Sequence, residues 1–173
     1  MADLPNDAAT LRLRIDLVDR EAPVRGPAPL VAADGRAPSG RLLASVGVEY
    51  LDGRDAEWWP LARLPVIYLA PEALRSLADG LGDLLRGAAP GLSWQSGADG
   101  AVGLQIGPPQ GEGGDLLVVE VGLDVSLFLA EVGRGPRRTG AELALFRWQT
   151  SRGSAVTFAD ALRRETEVLA ADG

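Results

Sequence analysis

Between Leu117 and Leu129 every second residue is apolar. Leu117, Val119, Val121, Leu123, Val125, Leu127 and Leu129 fall on one face of an extended chain, with Glu120, Gly122, Asp124 and Ser126 between them. A period of two held this long is the pattern of a β-strand with one buried face. The run exceeds the usual strand length. It predicts one long bent strand with Gly122 marking a bulge; two strands meeting near Gly122 are the alternative. In both cases the chain must build a sheet and supply something to cover it.

The rest of the chain repeats the theme. Leu11, Leu13, Ile15 and Leu17 alternate with Arg12, Arg14 and Asp16, a half-buried strand. A second runs over Leu42–Leu51, with Leu42, Ala44, Val46, Val48 and Tyr50 on one face. Trp58 and Trp59 lead into a short third strand, Leu64–Leu69, where Pro65 marks a start or an edge. A helix is predicted from Pro71, with Pro and Glu72 in its first turn and Leu74, Leu77, Ala78, Leu81, Leu84 and Leu85 at helical spacing. Gly87 caps it and Pro90 stops it. Gly80 and Gly82 each cost the helix about 1 kcal/mol relative to Ala, a cost that close packing on a sheet would justify.

A hairpin follows, Leu92–Ser96 with Ala101–Ile106, around the turn Gly97-Ala98-Asp99-Gly100. Beyond the long strand, Leu143–Thr150 places Leu143, Leu145, Arg147 and Gln149 on one face and Ala144, Phe146 and Trp148 on the other. The last element is a helix opened by a variant capping box, Thr157-Phe158-Ala159-Asp160, with Phe158, Leu162, Val168 and Leu169 as its apolar side. Residues 1–9 form a flexible polar lead-in. Residues 21–40, with Pro23, Pro27, Pro29 and Pro38, form a long loop. Pro108–Gly114 and Gly133–Gly140 are shorter loops, and no repeat of fixed period is present.

Runs of strands broken by isolated helices specify an α+β class: a mainly antiparallel twisted sheet of about seven strands, with one central and one C-terminal helix. Strands and helices do not alternate as a doubly wound parallel fold requires. At 173 residues the chain suits a single domain, 1–173, able to bury a core without disulfides or metals.

Composition narrows the chemistry. Cys and His are absent, and all 17 basic residues are Arg. That removes disulfides and thiolate catalysis, imidazole-dependent triads and ordinary zinc sites, Schiff-base chemistry and the P-loop lysine. A net charge of −7 opposes nucleic acid and anionic membrane as partners. The first ten residues carry Asp3, Pro5 and Asp7 in place of a secretory signal, so the cytoplasm is the expected compartment.

Four features invite a functional reading. The Gly-rich stretch Gly107–Gly114 lacks a Lys-Ser/Thr ending and precedes a strand, so it reads as a hairpin loop and no cofactor is implied. Asp52, Asp55 and Glu57 cluster beside Trp58 and Trp59. Their oxygens could hold a divalent cation or serve a carboxylate hydrolase, but no calcium-loop pattern is matched, and a solvated acidic turn is the favoured reading. Adjacent tryptophans in an extended segment point to opposite sides, so one can be core and the other exposed at an interface, whereas Trp94 and Trp148 sit in strand patterns as core. Arg134, Arg137, Arg138, Arg147 and Arg152 are the one basic concentration, suited to an anionic ligand or an acidic partner surface, or simply to solvent.

Ile67-Tyr68-Leu69, the helix Pro71–Arg86, the hairpin Leu92–Ile106 and the Val-rich strand from Leu117 give a succession that resembles the WapI-type bacterial immunity proteins, over about residues 42–170. Ser93-Trp94-Gln95 stands where that family carries an acidic residue in the hairpin, and the loop 21–40 has no counterpart. The resemblance implies a non-enzymatic cytoplasmic protein that binds a toxin or another protein.

The expected function is therefore non-catalytic protein binding to a partner that an acidic surface would suit, meaning a basic protein. Trp58, Trp59, Asp52, Asp55 and Glu57 form the first candidate surface, and Arg134, Arg137 and Arg138 the second. The alternatives are an assembly subunit, including a homo-oligomer built on the long strand, and a carboxylate or metal-dependent hydrolase.

Overall fold

The computed structural model describes residues 1–18, 42–64, 67–96, 101–108, 115–124 and 143–171. The predicted loop 21–40, the hairpin turn 97–100, most of 108–114 and the segment 125–142 lie outside these residues.

The α+β class is correct, but the single sheet of about seven strands is not: the strands divide into two antiparallel sheets, each four positions wide. Sheet I contains β1 (Ala2–Pro5), β2 (Leu11–Val18) and β3 (Leu42–Leu51), then β4 (Trp58–Arg63) and β5 (Ile67–Leu69), which follow one another along the outer edge of β3. Helix α1 (Pro71–Leu85) comes next. Sheet II is the meander β6 (Leu92–Gln95), β7 (Val102–Gly107), β8 (Leu116–Asp124) and β9 (Leu143–Ser151), and helix α2 (Arg152–Ala171) follows it. Among the described residues a meander followed by a helix thus occurs twice.

Several local expectations are corrected. The lead-in is a strand: Ala2 and Leu4 are fully buried, and β1 pairs with β2 from Ala2↔Ile15 to Pro5↔Arg12. The third strand begins at Trp58, six residues early, and residues 64–66 lie between it and β5. Gly122 marks no bulge; β8 and β9 pair without a shift from Leu116↔Ser151 to Asp124↔Leu143, and Leu145 lies over Gly122. The part of the long strand beyond Asp124 is outside the described residues.

Helix α2 starts at Arg152 rather than at Thr157. Its cap is Ser151, whose Oγ accepts the amide of Ser154 at 3.1 Å, while Thr157 sits inside the helix and donates to the carbonyl of Gly153. Phe158 and Leu162 are buried as expected, but Val168 is exposed. Helix α1 ends as read. Gly87 adopts φ +74°, its amide reaches the Leu84 carbonyl, and the Ala88 amide reaches Asp83, a Schellman motif.

The two helices pack on each other, and the pairing with the sheets is crosswise: α1 meets β6 of sheet II, and α2 meets β1 of sheet I as well as β9. One hydrophobic cluster runs through both sheets and both helices, from Leu4, Leu13 and Ile15 through Leu77 and Leu81 to Val119, Val121 and Phe158. Of the two helical glycines, Gly80 meets the sheet: a Cβ there would lie 2.6 Å from Leu92. Gly82 faces the other helix, with Arg163 Nη2 3.0 Å from where a Cβ would stand. Trp94 and Trp148 are core, each 7% exposed. No helix among the described residues is long and apolar enough to cross a membrane.

Candidate functional site: an aromatic ledge beside an acidic turn

Antiparallel pairing of β3 and β4 is regular at Gly47↔Arg63 and Val48↔Ala62, then resumes at Glu49↔Pro60, so Leu61 is an extra residue opposite no partner. Such a bulge bends its strand and changes where the flanking side chains point. Pro60 has no amide to give to the ladder, which β4 tolerates at the sheet's edge.

Beyond the bulge, Trp59 lies across from Tyr50. Val48 and Ala44, on the same face of β3, are fully buried, but Tyr50 stands past the end of the core. Trp59 is 47% exposed, Leu61 49% and Tyr50 37%. Trp59 and Tyr50 therefore share one exposed ledge at the end of sheet I, and the exposed Leu61 stands two residues from Trp59 on the bulge.

The β3–β4 connection closes that end. Asp52 donates its amide to the Glu57 carbonyl at 2.9 Å and accepts the Ala56 amide on its own carbonyl at 3.0 Å. Its Oδ1 accepts the Arg54 amide, and Asp55 Oδ1 accepts that of Glu57. These are Asx-type contacts that hold a tight turn, with Ala56 at φ +57°. Asp55 and Glu57 are exposed, and none of the three carboxylates enters an ion pair among the described residues. No group of three or more potential ligands able to hold a metal occurs among the described residues. The turn is acidic and solvated, beside the ledge.

Trp58 and Trp59 part company as an extended segment requires, but neither is core. Trp58 is half-buried on the outer face of sheet I, where the Arg12 guanidinium lies 4.0 Å from its ring centroid. Arg12 also donates to Glu49 Oε2 at 2.6 and 2.8 Å and to Asp3 Oδ2 at 3.0 Å. Arg14 pairs with Asp16 at 2.8 Å. The three carboxylates and two guanidiniums occupy neighbouring positions on β1, β2 and β3, and the network answers most of its own charge. Burial pushes the Asp3 carboxyl above its ordinary value, against the pull of Arg12 and Arg14, and its Oδ1 is buried without a partner among the described residues.

Trp58, Trp59, Asp52, Asp55 and Glu57, the residues expected from the sequence, all lie at one end of sheet I. Tyr50, not among them, is what makes Trp59 part of a surface, and Leu61 adds exposed apolar area on the bulge. Tyr50 continues the apolar alternation of β3 and reads as core; only the bulge reveals otherwise. The Arg12 network is likewise absent from the expected residues, although Asp3, Arg12, Arg14 and Asp16 all fall on the polar phase of their strands. Arg134, Arg137 and Arg138 lie outside the described residues; Arg147 is exposed on β9. Neither a protein-family model nor a curated protein matches this chain.

Proposed function

We propose that this protein is a non-catalytic binding domain whose partner is another protein, one with a basic surface. The observation that supports this most directly is the ledge of Trp59 and Tyr50, with the exposed Leu61 near by, beside the turn of Asp52, Asp55 and Glu57. Exposed aromatics beside a charged rim are the composition of a protein-binding hot spot. The acidic turn and the net charge of −7 draw a basic partner and speed encounter. Neutralisation of a basic toxin, as the resemblance to WapI-type immunity proteins implies, is the specific form of this reading.

Partner capture from the native host, followed by calorimetry with the purified partner, tests it. Trp59→Ala combined with Leu61→Ala should weaken binding by about 2 kcal/mol or more. Asp55→Asn combined with Glu57→Gln should slow association and flatten its dependence on salt. A captured partner that binds all variants equally would remove the ledge from consideration.

A further inference from the structure

We propose that the outer face of sheet II is a self-complementary surface that pairs two copies of this chain about a two-fold axis.

Leu145 is 66% exposed and Leu143 54%, both on β9, the last strand of sheet II. Leu145 stands across from Gly122, which stands across from Gly103 on β7. A Cβ at Gly103 would meet nothing within 4 Å, one at Gly122 would meet Leu145, and the exposed Gln95 on β6 completes the row. One row across the sheet therefore holds a projecting leucine at its edge and an empty position two strands away.

The next row carries Arg147, Glu120, Gln105 and Ser93 in that order from β9 to β6. Arg147 and Gln105 are exposed, and Arg147 and Glu120 have no ion-pair partner among the described residues. With Gly107 and Val118 they line an open hollow of about 500 Å³.

A two-fold axis parallel to the strands and lying over β8 satisfies both rows together. It carries β9 of one copy over β7 of the other, two strand spacings of about 4.8 Å from its own position. Leu145 then enters the gap above Gly103 of the second copy, beside that copy's Leu145. In the same movement Arg147 arrives over Gln105, next to Glu120 of the second copy, and the exchange is reciprocal. Both coincidences follow from one register, because Gly122↔Leu145 and Glu120↔Arg147 are successive same-face pairs. Isologous interfaces require this: each patch must supply both the projection and the recess, both the cation and the anion. The surface shares no residue with the ledge on sheet I, so variants of one leave the residues of the other in place.

Sedimentation equilibrium on the purified full chain over a range of concentrations tests the proposal, with circular dichroism to confirm the fold of every variant. The wild type should form a dimer. Leu145→Arg and Gly103→Leu should each weaken it about tenfold or more, the second by filling a recess open enough not to disturb the fold. Glu120→Arg alone and Arg147→Glu alone should weaken it, and the two together should restore it. A wild type that stays monomeric throughout overturns the proposal, as does a dimer indifferent to Leu145→Arg and Gly103→Leu.

Discussion

Arg163 on α2 donates Nη2 to the backbone carbonyl of Ala78 on α1 at 2.8 Å, crossing above Gly82 to reach it. A glycine in mid-helix lowers intrinsic helix stability, and here it gives the guanidinium room to pass. Arg152 makes a matching contact at the other end, donating to the Leu85 carbonyl at 3.1 Å where α1 has no basic residue of its own. The helices are thus joined by cations of one on carbonyls of the other.

Arg163→Ala should destabilise the protein by about 1 kcal/mol, and Arg163→Met by less, because Met keeps the apolar stem. Gly82→Leu should cost more than either by displacing the guanidinium. Urea unfolding of the three variants checks the order.

The two core tryptophans should separate on conversion to Phe. Trp94 Nε1 donates to the Ala73 carbonyl at 2.8 Å and holds the start of α1 to β6. Trp94→Phe removes this second hydrogen bond on a carbonyl that the helix ladder already engages, and should cost about 1 kcal/mol beyond the change in volume. Trp148 Nε1 is buried without a partner among the described residues. Trp148→Phe removes an unsatisfied donor and should cost less than Trp94→Phe. Thermal melts that give equal losses would contradict this.

Trp58 and Trp59 should separate by a different readout. Trp58→Ala removes the face on which Arg12 rests, an interaction of about 0.5–1 kcal/mol at a partly exposed site, and loosens the Asp3–Arg12–Glu49 network. Its effect belongs to stability. Trp59→Ala should leave stability nearer to wild type and act on partner binding.

The carboxyl of Asp3 is held above its ordinary value of 3.8, first by burial. A raised acid binds its proton more readily in the folded state, so its stabilising contribution is present below 3.8 and is lost as pH rises through the folded value. At neutral pH the charged Asp3 therefore works against folding. Asp3→Asn should be at least as stable as wild type at pH 7, with any advantage vanishing towards pH 3. Denaturation curves at the two pH values check it; a variant weaker than wild type only at pH 7 would contradict the sign.

What was legible in the sequence is what short-range physics decides. Leu13 and Ile15 alternate with Arg12 and Arg14, and they are buried. Pro71 and Gly87 bound α1 as their backbone chemistry requires. β1 escaped notice because two apolar residues, Ala2 and Leu4, are too few to establish a period; pairing with β2 makes it a strand. The start of α2 is ambiguous in the sequence because Ser151 and Thr157 both suit a cap; the Ser151 cap bond and the burial of Ala155 show that the helix is already under way before Thr157. The division into two sheets is a long-range choice that alternation along one strand does not encode. For the site, the acidic turn could be read from composition, but the ledge depends on the register shift at Leu61, which emerges only when β4 is set against β3.

The crosswise packing of helices and sheets bears on how the chain acquires its structure. The carbonyl of Pro5 accepts the Thr150 hydroxyl, and the Asp7 amide donates to Gln149, across most of the chain's length. A ribosome that has released only sheet I and α1 has released an element whose apolar surface is completed by α2. Closing such distant contacts is entropically slow. The first half should therefore wait, exposed and in need of protection, until the final helix is made. A chain severed near Pro90 should yield two halves that are each poorly folded alone and regain structure when mixed.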